Sequence, residues 1–266
     1  MEECRDSSRI GNCEVSVSGG SWGFGRLFGA GSTPLAGGNL LGALELQHYD
    51  GPWVIPGDQR KINAVIRYSE GDQHDGYSLT TSFYHGLWNA QTDQPERAIG
   101  QSLISRFGEL DPSDRGTAQR ANLSWQYFSA VGGGQLTANL YAFNNQLTLF
   151  NDFTHFLIDP VNGDQEQQHE NRWTAGGGVS YAHGAMVFGL QNSLLFGIQA
   201  RYDDNAVSRL PSEDAEPLPA ADGPLGYSEK DQIHLGSNAV YAQMVTHWNY
   251  WFRTVLGLRE DYQHGS

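Results

Sequence analysis

The stretch FGLQNSLLFGIQARY, residues 188–202, sets Phe188, Leu190, Leu194, Phe196, Ile198, Ala200 and Tyr202 on one face and Gln191, Ser193, Gln199 and Arg201 on the other. A period of two is the mark of an extended strand with unlike faces. The run is also about two to three times the usual five or six residues of a strand in a soluble domain.

The pattern repeats along the chain. Ile62, Ala64, Ile66 and Tyr68 oppose Lys61, Asn63, Val65 and Arg67; Ala121, Leu123, Trp125 and Tyr127 oppose Arg120, Asn122, Ser124 and Gln126. Trp173, Ala175, Val179 and Tyr181 oppose Arg172, Thr174 and Ser180, and Phe252, Leu256, Leu258 and Tyr262 oppose Arg253, Arg259 and Asp261. Lysine and arginine keep to one face, as a lipid-facing surface requires, since either at the bilayer midplane costs about 2–4 kcal/mol. A soluble sheet with one buried face gives the same alternation. Two segments lose the phase. The apolar residues switch face over 141–149, for which a β-bulge is expected, and Val240, Ala242 and Met244 run out of step with Ile233 and Leu235.

Connections alternate in length. Short turns are expected at 34–38, 71–76, 131–134, 182–185 and 246–250, and long ones at 49–59, 89–116, 151–171 and 203–230. Segregation of hairpin turns on one edge from polar loops on the other is a property of meanders that cross a bilayer. The fold expected is all-β, an antiparallel up-and-down transmembrane β-barrel segment of about ten strands, each of roughly 10 to 16 residues, with short turns on one edge and long loops on the other. Tyr49, Trp53, Trp88, Trp125, Tyr127, Tyr202, Trp248, Tyr250 and Trp251 are candidates for interfacial girdles.

Composition narrows the function. The 266 residues carry 16 Lys plus Arg against 30 Asp plus Glu, a formal charge of -14, which repels nucleic acid. Mean hydropathy is -0.48, and no apolar run nears the roughly 18 residues of a membrane-spanning helix. Cys4 and Cys13 fit a local disulfide or two thiols equally, and no metal site is expected from them. The first residues lack the basic start and apolar stretch of a secretory signal, so no signal peptide is expected in this chain. An enzyme is not expected: the nine histidines are scattered and no G-x-S-x-G elbow occurs. The acidic stretch Asp203, Asp204, Glu213, Asp214, Glu216 and Asp222 reads as a solvated loop, with Ca2+ binding as the alternative and no EF-hand spacing.

Six stretches resemble the barrel of the TonB-dependent outer-membrane receptors: GNLLGALELQHYDGPW (38–53), YSLTTSFYHGLWNAQTDQPERAI (77–99), RFGELDPSDRGTAQRANLSW (106–125), LTLFNDFTHFLIDPVNGDQEQQHENR (147–172), GIQARYD (197–203) and GLRED (257–261). Their order and spacing carry the likeness more than any one of them. The sequence departs from the pattern at Asp114-Arg115-Gly116, where a loop tip has Arg for Gly, strained if φ is positive there, and at 163–166, where an aromatic often follows Gly-Asp-Gln. The resemblance implies a barrel of about 22 strands, of which this chain would supply the N-terminal part, residues 14–266, after a remnant at 1–13. The plug, the TonB-contacting box and the last strands of that family are not recognised in it.

By resemblance the expected function is receptor-mediated uptake of a scarce small-molecule ligand such as a ferric siderophore in the cell outer membrane of a Gram-negative bacterium. The partners would be outer-membrane lipid, a plug domain and the TonB complex, with no nucleic acid and no cofactor, and the chain alone would be inactive. A self-contained small porin-like barrel and a soluble β-rich carbohydrate-binding module are the alternatives. Trp53, Trp88, Arg97, Arg106, Phe153, His155 and Phe156 are the ligand-contact candidates by residue type and expected loop position. Arg67, Arg120, Arg172, Arg201 and Arg253 are expected to face acidic partners in the lumen.

Overall fold

A computed structural model describes residues 2–5, 12–72, 74–89, 92–219 and 228–266. In chain order the strands are β1 (Glu2–Arg5), β2 (Asn12–Gly19), β3 (Gly25–Leu35), β4 (Gly38–Tyr49), β5 (Gln59–Gly71), β6 (Gly76–Asn89), β7 (Arg115–Val131), β8 (Gly134–Asn151), β9 (Glu166–Val187), β10 (Leu190–Glu213), β11 (Glu216–Pro217), β12 (Glu229–His247) and β13 (Arg253–Gly265). One short helix, α1 (Glu96–Gly100), lies between β6 and β7. Each strand pairs antiparallel with the next, β11 folds back on β10 alone, and β12 takes the following place. Among the described residues β1 and β13 do not pair with each other, so the sheet is an open meander.

Directly paired residues share a face and successive residues alternate, so the register extends one face across the molecule. A single row runs Leu40, Tyr68, Leu79, Trp125, Leu140, Gly177, Ala200, Asn238, Tyr262 from β4 to β13. Rows beside it add Leu44, Ile66, Leu123, Val179, Ile198 and Val240. These side chains are not packed away: Leu140 is 59 % exposed, Ile198 58 % and Leu258 77 %. The only buried hydrophobic residues described are Ala98, Ala215 and Ala239. No second layer covers the apolar face among the described residues, unlike in a soluble sandwich.

The strands outrun the expectation. β9 has 22 residues and β10 has 24, against the 9–11 or so that cross a bilayer. The turn expected at 182–185 is therefore corrected to 188–189, and Phe188, expected in a strand, occupies that turn at φ +51°. Likewise β10 runs on through Asp203 and Asp204 to Glu213, so these acids are strand residues; Asp222 lies outside the described residues. Of the other short turns, 36–37, 72–75, 132–133 and 248–252 share the edge of turn 188–189, opposite the long connections 50–58, 90–114 and 152–165 and the one between β10 and β12, while the short turn 20–24 between β2 and β3 lies on the loop edge.

No bulge explains the phase switch in β8. Its register with β7 and β9 is unbroken. Leu136, Ala138, Leu140 and Ala142 are followed on the same face by Asn144, Gln146 and Thr148, because the strand continues beyond the apolar band. There Asn144 Nδ2 donates to Asn171 Oδ1 at 2.8 Å and Gln146 Nε2 to Asn144 Oδ1 at 3.0 Å. Val240, Ala242 and Met244 likewise lie in the band, while Ile233 and Leu235 belong to the other face nearer the loops.

The register sorts the girdle candidates. Trp125, Tyr127 and Tyr202 lie on the apolar face, whereas Tyr49 and Trp88 lie on the polar one. At the turn edge Tyr68 and Tyr77 both donate to Glu70 Oε2, at 2.8 and 2.9 Å. On the polar face Tyr241 lies across its paired residue Gly197, and a Cβ at Gly197 would run into the ring. We predict that Gly197→Val lowers stability by about 1–3 kcal/mol, the usual cost of overpacking, and that Tyr241→Ala in the same chain relieves most of it. Denaturant titration of the folded chain reads both.

Candidate functional site

The loop edge gathers most of the buried polar groups. Asp114, Asp152, Asp164 and Gln165 are each at most 2 % exposed, and they join three connections at their bases. Gln165, next to β9, donates through Nε2 to Ser113 Oγ at 2.7 Å and Asp114 Oδ1 at 3.0 Å in the 90–114 loop. Its Oε1 accepts from Ser212 Oγ at 3.0 Å and from the Ala215 N–H at 2.9 Å, at the end of β10 and the turn after it. One amide thereby uses both its donors and both its lone pairs. Asp114 also accepts the Asp152 N–H at 3.0 Å, and Arg115 Nη2 reaches the Ala215 carbonyl at 3.2 Å.

Within the 152–165 loop two carboxylates replace regular secondary structure as acceptors. Asp152 takes the N–H groups of His155 and Phe156 at 2.8 and 3.3 Å, which fixes those two residues at φ +53° and +62°. Asp164 takes the N–H groups of Ile158 and Asp159 at 2.9 and 2.8 Å, and the Thr154 hydroxyl. Burial opposes ionisation of Asp164, yet these donors outweigh it and hold its pKa below the ordinary value.

Charge of one sign collects around this clasp of Gln165, Asp111 and Asp114. Burial first, then Asp114 and Asp111, push the Glu109 pKa up to about 8. Burial first, with Asp111 adding to it, raises Asp114 to about 7 against the hydrogen bond from Gln165. Neither carboxylate oxygen of Glu109 has a partner of normal geometry among the described residues.

The ligand-contact candidates separate on this frame. Trp53 in loop 50–58 is 39 % exposed and meets Phe107 edge-on at 6.0 Å, while the Val54 N–H donates to the Phe107 carbonyl at 2.9 Å. These contacts dock loop 50–58 on loop 90–114, which also carries Arg97, exposed on α1, and exposed Arg106. Phe153 is exposed and His155 and Phe156 are half-buried in loop 152–165. Trp88 is not a loop residue: it lies in β6 on the polar face, half-buried, with its indole over Gly116.

Two sequence expectations change at the clasp. Arg115 opens β7 without positive φ, and Asp114 and Gln165 sit at loop bases rather than tips. Arg67, Arg120, Arg172, Arg201 and Arg253 do share the polar face by register, but several already have partners in the sheet. Arg201 Nε lies 2.7 Å from Asp203 Oδ2, Arg172 Nη2 2.7 Å from Glu170 Oε1, and Arg120 rests on the Phe143 ring at 4.8 Å. Sequence reasoning placed Gln165 at a loop tip and missed its role in joining the loops; the runs of Asp and Ser before β7 and of Gly-Asp-Gln before β9 were the only trace of it.

A carboxylate whose folded pKa is raised favours the folded state while protonated, so that contribution is full below the unfolded value and is lost as pH climbs through the folded one. The window runs from about 4 to about 8 here. We predict that protease cleavage in loop 90–114 accelerates across that window, by at most about tenfold per pH unit for each of the two carboxylates, and that Glu109→Gln flattens the rise. Gln165→Ala should open all three loops to protease at every pH.

No protein-family model matches the sequence, and no curated protein does. Solved structures match its fold. The chain aligns with the ferric citrate transporter FecA in its unliganded form at a TM-score of 0.74 and 11 % identity, over 96 % of this chain and 37 % of that one. With the copper transporter OprC the values are 0.67 and 15 %, over 99 % and 38 %. With the siderophore receptor PiuA from Acinetobacter baumannii they are 0.65 and 8 %, over 95 % and 46 %. The chain thus spans less than half the length of each, and with them it shares the antiparallel up-and-down β-barrel fold.

Proposed function

We propose that this chain is barrel wall of a TonB-dependent receptor in the outer membrane of a Gram-negative bacterium, taking part in uptake of a scarce ligand such as a ferric siderophore. The observation that carries the reading is the exposed apolar band, continuous from β4 to β13 by register while almost no hydrophobic side chain is buried. In water such a surface would drive aggregation; against lipid it needs no further cover. The transporters and the siderophore receptor that share the fold support the choice of ligand class.

Each edge then has a task. The short turns face the periplasm, and the clasped loops face outward and present Trp53, Arg97, Arg106, Phe153, His155 and Phe156 to the ligand, with Trp88 at the upper lumen wall. The polar face, with its arginine–carboxylate pairs, lines a lumen that a plug domain fills, and the TonB complex supplies the work of moving that plug. The role is binding and release, without bond-making, and the chain by itself neither binds tightly nor transports.

The first test is far-UV circular dichroism and heat-modified gel mobility, in buffer and in detergent. Strand structure that forms only in detergent is expected; a folded monomer in plain buffer would overturn the membrane assignment, and a stable pore of this chain alone in planar bilayers would favour a small porin. Face-specific substitution sharpens it: Leu140→Arg and Ile198→Arg should each cost about 2–4 kcal/mol in lipid, whereas Ser124→Arg on the polar face should cost much less. In the complete receptor, alanine at the seven candidate positions should weaken ligand binding, and unchanged affinity would remove that set.

A further inference from the structure

His48 ends the apolar-face row of β4 beyond Leu46, and Asp50 and Asp58 stand at the two ends of loop 50–58. His48 Nε2 lies 3.2 Å from Asp50 Oδ1, and its Nδ1 lies 3.7 Å from Asp58 Oδ1. One ligand atom from each of the three falls within 4.8 Å of the others, the only such trio of His, Cys, Asp or Glu among the described residues.

The backbone around the trio is set before any ligand arrives. The Asp50 N–H donates to the Trp22 carbonyl at 3.0 Å, the Gly57 N–H to the Asp50 carbonyl at 2.7 Å, and the Asn89 N–H to the Gly57 carbonyl at 2.7 Å. Asn89 Nδ2 adds a bond to the Pro56 carbonyl at 2.7 Å. Asp58 sits at φ +42°, a region that non-glycine residues occupy where surrounding contacts fix them. Asp58 already faces a guanidinium, since Arg60 Nε lies 2.9 Å from its Oδ1. All three ligand side chains keep an open side, with 35–43 % of each exposed.

The donor chemistry selects among cations. An imidazole with two carboxylates suits borderline divalent ions, whereas Ca2+ and Mg2+ take oxygen ligands. His48 Nε2 and Asp50 Oδ1, 3.2 Å apart, stand near the separation of two ligands that are each about 2.0–2.2 Å from a shared ion, whereas Asp58 faces the other ring nitrogen, Nδ1, at 3.7 Å and completes the set by a turn of its carboxylate. We propose that His48, Asp50 and Asp58 form a site for a divalent first-row transition cation, with Zn2+ as the working case. The ion ties the two ends of the loop that carries Trp53 and stiffens its docking on Phe107. Arg60 competes with the ion for Asp58. This assignment does not depend on the receptor reading.

The test is titration of the folded full chain in detergent with Zn2+, and separately with Cu2+. One site of micromolar affinity is expected, tighter for Cu2+ than for Zn2+ and not displaced by millimolar Mg2+. His48→Ala and Asp50→Asn should each weaken it by at least about tenfold, and Arg60→Gln should strengthen it. The Cu2+ electron paramagnetic resonance spectrum should carry coupling to one imidazole nitrogen that His48→Ala abolishes. Heat-modified mobility of each variant checks folding, and Asp50→Asn, of nearly unchanged shape, stands in if His48→Ala misfolds. Absence of Zn2+ binding by the parent chain, or the same affinity and spectrum in the variants, would overturn the assignment.

Discussion

The ladder of backbone hydrogen bonds between neighbouring strands is the interaction on which everything else here rests. In a two-layer domain, side chains packed between layers share the work of holding strands in place. Here there is one layer, with three alanines as the whole of the described buried apolar set, so the ladder must fix position alone. It does so without slips from β2 to β13, and that regularity lets a row of side chains pass from Leu40 to Tyr262 without changing face. A one-residue slip at any pair up to β8–β9 would turn every later strand over, placing Arg172 and Arg201 among the aliphatics.

Because the ladder is indifferent to side chains, the two faces are free to serve different surroundings. One carries aliphatics and aromatics in a band with polar groups above it, the Asn144, Gln146 and Asn171 network marking its loopward limit. The other is lined by charges that cancel locally, such as Arg201 with Asp203, whose carboxylate also accepts from the Thr174 hydroxyl. Pairing along one strand, between residues two apart, needs no neighbour to be correctly placed and so costs the sheet little in specificity.

The loops solve a different problem. Their backbone lacks ladder partners, and buried backbone groups must still be paired. Asp152, Asp164 and Gln165 supply acceptors and donors from side chains, so the loop bases are fixed while Phe153 and Arg106 remain outside. Burial of carboxylates, with their crowding second, is the cost of this solution, visible in the raised pKa of Glu109 and Asp114. A rigid base with exposed tips is the arrangement that a capturing loop needs, since ordering paid before binding is not paid during it.

Period-two alternation is a consequence of how a single extended chain places its side chains, so the faces of β5, β7, β9, β10 and β13 were legible from local sequence, as was the segregation of short turns from long loops. Strand ends were not: a strand stops where its neighbour's edge stops offering partners, which is why β9 passes through 182–185 and β10 absorbs Asp203 and Asp204. The apparent faults in β8 and β12 came from the same ignorance of height, since a polar residue above the band and a polar residue on the other face look alike in one dimension. Least legible was the clasp, where Gln165 meets Asp114 and Ser212, 51 and 47 residues away. Sequence alone determined which side of the sheet the residues of those five strands face, because that depends on their immediate neighbours; only tertiary structure decided which distant loop residues would be buried together, because that depends on the register of every strand between them.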